Sequence, residues 1–295
     1  MKKPLPFLAA LLILATHLYS QSFNMSISGG YCFPLASEMH VNTITQFANP
    51  NYPNTYSTIL QSVKPNSFGN GGNVALSMDW FSKNNIGFGL KVNALISTPV
   101  NYSASSTDAN YNIYNYNFTD KAFSFQFIPH LNFKHDFKKV SPYIEMGMII
   151  GVTQMNESFV ATDNSGNIFS SDTKNYGNAL LGFYSSLGAA FNVSKVVKLT
   201  LAVNCSAGSY SPSKYEVTSY SVNGVSQLGS MPEAIQQGSF VKQMNFTAQQ
   251  YSNEPGTELK FAIPFSNVGV NAGICFVFPQ KEKQGKYVSK DVHPF

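Results

Sequence analysis

The chain has no arginine: its 19 basic residues are all lysine. Sites built on the planar, bidentate guanidinium fork are therefore excluded. Charge of either sign is scarce as well, at 12% of residues, against about 25% for an average soluble domain. That excludes an ordinary water-exposed surface over most of the molecule. The formal net charge is +4, and Lys2 and Lys3 belong to the leader described below, so the mature chain is near neutral and nucleic acid is not expected as a partner. Cysteine is limited to Cys32, Cys205 and Cys275, an odd count without zinc spacing, and all three are read as packing residues. There is no Gly-rich phosphate loop after a strand and no metal-spaced His or Cys cluster, so no cofactor and no metal are expected. Beyond Ser20 no apolar run approaches the roughly 20 residues a spanning helix needs, so any membrane insertion has to use strands.

What the chain does contain begins with a secretory leader. Lys2 and Lys3 precede an apolar run from Phe7 to Leu18, followed by Tyr19-Ser20-Gln21, the order of a signal peptide with a small residue at its cleavage point. The dominant pattern after it is alternation. Phe123, Phe125, Phe127, Leu131 and Phe133 share one parity, while Ser124, Gln126, His130 and Asn132 share the other. Period two is the signature of a β-strand. The second face is small and neutral, which suits a narrow lumen and leaves the apolar face outward, toward lipid. Aromatics at 14% fit side chains that face lipid and sit at its interfaces.

Eight strands follow from this pattern: Phe23 to Cys32, Gly72 to Phe81, Ile86 to Ile96, Ala122 to Phe133, Pro142 to Thr153, Asn178 to Val193, Val197 to Ala207 and Ser266 to Phe278. Their connections alternate between short turns and the long segments Pro34 to Gly71, Ser97 to Lys121, Gln154 to Gly177 and Gly208 to Phe265. Short and long ends belong to opposite sides of a membrane. The expected fold is all-β, an eight-stranded antiparallel up-and-down transmembrane β-barrel with long external loops. This layout resembles the small eight-stranded outer-membrane barrels of Gram-negative bacteria, similar in plan to the transmembrane domain of outer-membrane protein A and its X and W relatives. The last strand, Asn267 to Phe278, is similar to that family's C-terminal assembly signal, although here a Lys-rich tail follows. The expected organisation is a signal peptide over residues 1–20, the barrel over 21–278 and a short periplasmic tail over 279–295.

Four ionisable residues fall on the inward parity of the strands: Asp79, Lys91, His130 and Glu145. All lie near short turns, and a lumenal polar network is expected of them, since a charge in a narrow barrel has to be paired or hydrated. His130 is the only strand histidine, and enzymatic activity is not expected. Trp80, Phe81, Tyr143 and Phe278 are expected to form an aromatic girdle at the short-turn ends. Ser230-Met231-Pro232-Glu233 reads as a capping box opening a short helix that Gly238 ends. The resemblance implies a cell outer membrane location, with outer-membrane lipid and lipopolysaccharide around the barrel and the barrel assembly machinery as a partner during biogenesis. It also implies a non-enzymatic protein that acts through surface loops, in adhesion, envelope integrity or as an accessory to a secretion complex, with a protein or glycan bound there. Small-solute transport through a narrow lumen is the alternative, and an outer-leaflet enzyme ranks after it.

Overall fold

The computed structural model describes residues 22–35, 60–61, 67–107, 113–243 and 254–279. Residues 1–21 and 280–295, on which the expected leader and tail fall, lie outside them. In chain order the strands are β1 (Ser22–Pro34), β2 (Leu60–Gln61), β3 (Gly71–Phe81), β4 (Ile86–Ser97), β5 (Val100–Thr107), β6 (Ile113–Lys134), β7 (Val140–Asp163) and β8 (Ile168–Tyr176). They continue as β9 (Ala179–Asn192), β10 (Val197–Tyr210), β11 (Lys214–Val222), β12 (Val225–Ser226), β13 (Gln237–Val241), β14 (Gly256–Leu259), β15 (Ile263–Pro264) and β16 (Asn267–Pro279).

A subset of these strands closes on itself. β1 pairs with β3, β3 with β4, β4 with β6, β6 with β7, β7 with β9, β9 with β10, β10 with β16, and β16 with β1, all antiparallel. Closure leaves the ring without a free edge, so its strands satisfy one another's backbone polar groups along the ladders. Alternation then divides the side chains. Phe125, Leu90, Ile274, Leu187 and Leu201 point outward and are exposed, with Phe183 at 69% and Val152 at 68%, whereas Ser77, Ser124, Gln126 and Ser186 are buried inside.

The expectation of an eight-stranded up-and-down barrel with long external loops is corrected by the full sheet, which has sixteen strands. β6 and β7 run for 22 and 24 residues, about twice what a strand needs to cross a bilayer. Beyond Phe123 and Val152 they leave the ring and become the spine of an outer sheet, in the order β14-β13-β11-β8-β7-β6-β5-β2. β13 and β14 within it are parallel. Its strands come from segments expected to be loops. The physical reason is that these segments lack the continuous apolar outward face by which the ring strands were read. Tyr114, Tyr116 and Phe118 alternate there with Asn115 and Asn117, a β pattern without the apolar stripe that marks the ring strands.

The interior is also less uniform than a small, neutral face implies. In the ring's outer half Leu95, Ile128, Ile149 and Leu180 point inward and are buried. Phe68, Tyr210, Ile263 and Phe265 join them in one apolar core. The Phe68 ring lies 6.1 Å from that of Phe265, which meets Tyr210 edge-on at 6.2 Å. Backbone bonds hold the covering segment, with Phe68 N–H donating to Pro264 O at 3.0 Å and Phe265 N–H to Gly208 O at 2.9 Å. These side chains plug the barrel at the base of the outer sheet.

Three smaller expectations change. Phe81 and Tyr143 line the lumen instead of joining the girdle, because they share parity with Asp79 and Glu145. Trp80 and Phe278 do flank Phe23, at centroid distances of 5.3 and 5.8 Å. The helix in the last connection spans only Glu233–Gln236 and follows Pro232 without a side-chain cap. Ser230 Oγ instead donates to Gln227 O at 2.8 Å. The three cysteines are unpaired, Cys32 and Cys275 buried and Cys205 exposed on the outer face of the ring.

Candidate functional site

Two regions gather ionisable groups, one inside the ring and one in the outer sheet. Inside, β3, β4, β6 and β7 bring Asp79, Lys91, His130 and Glu145 into one buried cluster. The ladder sets this up, since Gly89 stands opposite both Asp79 and His130, and Asn132 opposite Glu145. Lys91 Nζ donates to Glu145 Oε2 and, at 2.6 Å, to the Tyr184 hydroxyl, which donates in turn to Glu145 Oε2 at 3.1 Å. His130 Nε2 lies 2.8 Å from Asp79 Oδ1 and its Nδ1 3.1 Å from Ile128 O, so both ring nitrogens face acceptors. Ser77 Oγ donates to Asp79 Oδ2 at 3.0 Å.

Gly89 makes room for this pair. A Cβ there would come within 2.3 Å of Asp79 Oδ1 and 2.5 Å of His130 Nε2. Tyr184 is the member that sequence reading missed. Its signal was its parity, opposite to that of Leu181, Phe183 and Leu187 on the same strand. Asp79, His130 and Glu145 have the donor set of a metal site, their ligand atoms lying within 4.8 Å of one another. The Lys91 ammonium on Glu145, however, already supplies the cation. The cavity beside the cluster measures about 60 Å³ and the one next to it, under the plug, about 10 Å³, room for a few waters and for no larger solute.

The outer region is roomier. Glu157 stands directly opposite Asp120 on the β6–β7 ladder, above the ring and its apolar belt. Asp120 is 1% exposed, and its Oδ1 has no hydrogen-bond partner among the described residues. Tyr102 hydrogen-bonds the same carboxylate. Burial, reinforced by the charge of Glu157, pushes the Asp120 carboxyl well above the usual carboxylate range. Burial also raises Glu157, with the charge of Glu258 adding to it.

Glu157 and Glu258 line a cleft of about 590 Å³ between β7, β8, β11 and the segment around Met231. Aromatic rings form much of its wall: Tyr215 and Phe240 are 5.5 Å apart, and Phe240 and Phe261 meet edge-on at 5.1 Å. Tyr215 Oη donates to Ala234 O at 3.0 Å and so ties the cover to the sheet. Further rings continue away from the cleft along the same face of the sheet. Phe159 packs 5.9 Å from Phe118, which stacks on Tyr102 at 4.7 Å.

No family model and no curated protein matches the chain. Among solved structures it is similar to the outer membrane protease OmpT from Escherichia coli. The superposition covers 88% of this chain and 98% of that one, at a TM-score of 0.30 and 10% identity. None of these comparisons shows the small eight-stranded family that the strand layout resembles. The expectation that the chain is not an enzyme is corrected to an open one: the similar structure is that of a protease, and at this TM-score and identity the likeness transfers neither activity nor residues. No helix among the described residues is long and apolar enough to cross a membrane.

Proposed function

We propose that the chain is an outer-membrane β-barrel in which the closed ring is the anchor and the outer sheet, held at the cell surface, is the part that binds. The observation that carries this reading is the division of the molecule along its axis. Outward Leu, Ile, Val and Phe side chains form a belt around the ring, an exposed apolar surface far larger than water tolerates and suited to hydrocarbon. The outer sheet above it carries a cleft of about 590 Å³ walled by aromatic rings, against about 60 Å³ beside the lumenal cluster. Transport through the lumen is disfavoured by the plug of Phe68, Leu95, Ile128, Leu180 and Phe265 and by the water-sized cavities beneath it.

Replacing Phe183, 69% exposed on the belt, by lysine pushes a charge toward the hydrocarbon at a cost of about 2 to 4 kcal/mol near the midplane. The expected outcome is that the parent chain fractionates with the outer membrane and shows heat-modifiable migration, while Phe183→Lys loses assembly. A parent chain recovered in the soluble fraction, or a Phe183→Lys variant that assembles like it, contradicts the proposal.

A further inference from the structure

We infer that the outer-sheet cleft is a binding site for an organic cation, an amine carried on an aromatic or alkyl body. This rests on the reading of the outer sheet as the binding part and specifies its ligand chemistry. The volume of about 590 Å³ lies within the range of small-molecule sites. Its described lining contains Glu157 and Glu258 and neither lysine nor histidine, although the chain as a whole has more basic than acidic residues. The two strand lysines next to lining residues, Lys174 on β8 and Lys214 on β11, alternate away from Thr173, Asn175 and Tyr215, which line the cleft, and Lys174 lies over the Tyr176 ring at 5.2 Å.

Tyr215, Tyr220, Phe240 and Phe261 supply apolar area and electron-rich ring faces, which attract ammonium groups. Asp120 extends the acidic run inward from Glu157, with Oδ1 unpartnered and the residue 1% exposed. Carboxylates held without a cation against aromatic walls favour a ligand that brings the missing charge together with a hydrophobic body.

The test uses the full chain purified in a nonionic detergent and three probes with the same ring and different charge: 2-phenylethylamine, 2-phenylethanol and 3-phenylpropionate. Calorimetric titration is corrected with a detergent-only blank. Phenylethylamine is expected to bind about tenfold more tightly than phenylethanol, a difference of about 1.4 kcal/mol, and phenylpropionate not at all. Glu157→Gln and the exposed-site variant Glu258→Gln should each remove most of that preference while leaving phenylethanol affinity and heat-modifiable migration unchanged. Added salt should weaken the amine alone. Equal binding of amine and alcohol, or an amine preference that survives both substitutions, overturns the cation specificity. If no probe binds, the cleft is not this site, while the outer-membrane reading is decided separately by fractionation.

Discussion

Lys91 is the single cation between Glu145 and Tyr184, and it is buried. Removing it leaves the Glu145 carboxylate without its partner in a confined lumen, a change that costs about 3 to 5 kcal/mol for buried pairs. Lys91→Met is therefore expected to lower the unfolding midpoint of the detergent-solubilised chain strongly, and Glu145→Gln to do so as well. The double variant should lose less than the sum of the two, because each single change already breaks the same interaction. Additive losses in urea-unfolding free energies would show that the two residues are not coupled. The four inward ionisable positions were legible in the sequence because a lone charge stands out on a face of Ser, Asn and Gly. Tyr184 was not, since a tyrosine in a barrel strand is read first as an interface residue. The acidic pair Asp120 and Glu157 was missed altogether: it lies in segments read as loops, and only the ladder brings residues 37 positions apart face to face.

At the scale of the element, the β6–β7 hairpin joins two environments, and its outer half carries the pH-sensitive part of the fold. Asp120 and Glu157 are both pushed up by burial and by neighbouring acids, so the folded outer sheet holds more protons than the unfolded chain across the interval between the ordinary and the raised values. Stability then falls as pH rises through that interval. Below the ordinary carboxylate range both states are protonated and the stabilisation is fully present. Above the raised values it is lost. Amide exchange of β6 and β7 residues in the outer sheet is expected to be slower at about pH 5 than at about pH 8, after correction for intrinsic rates. Asp120→Asn with Glu157→Gln should flatten the dependence. A protection pattern that strengthens with rising pH would refute this. Sequence reading failed for the same elements because it took an outward apolar stripe as the mark of a strand. In the outer sheet that mark is absent, and β5, β8 and β11 are held by their ladders and by one aromatic face.

For the molecule as a whole, three levels follow one another along the axis: a polar lumen with paired charges, an apolar plug, and an open sheet with a cleft. Six ring strands, and the ring portions of β6 and β7, were found within a few residues of their bounds because the belt imposes a strict alternation, whereas the outer halves of β6 and β7 were read as loops. Inward apolar residues such as Ile128 and Ile149 were legible only as neighbours of outward ones. The most direct measurement of the division between anchor and surface sheet is cysteine labelling with a membrane-impermeant maleimide, in a Cys205→Ala background. Ser226→Cys lies at the hairpin between β11 and β12 in the outer sheet, and Lys195→Cys in the short turn between β9 and β10. In intact cells Ser226→Cys is expected to react at once, and Lys195→Cys only after the outer membrane has been opened. Labelling of Lys195→Cys in intact cells, or protection of Ser226→Cys until the outer membrane is breached, would contradict the placement of the outer sheet at the cell surface.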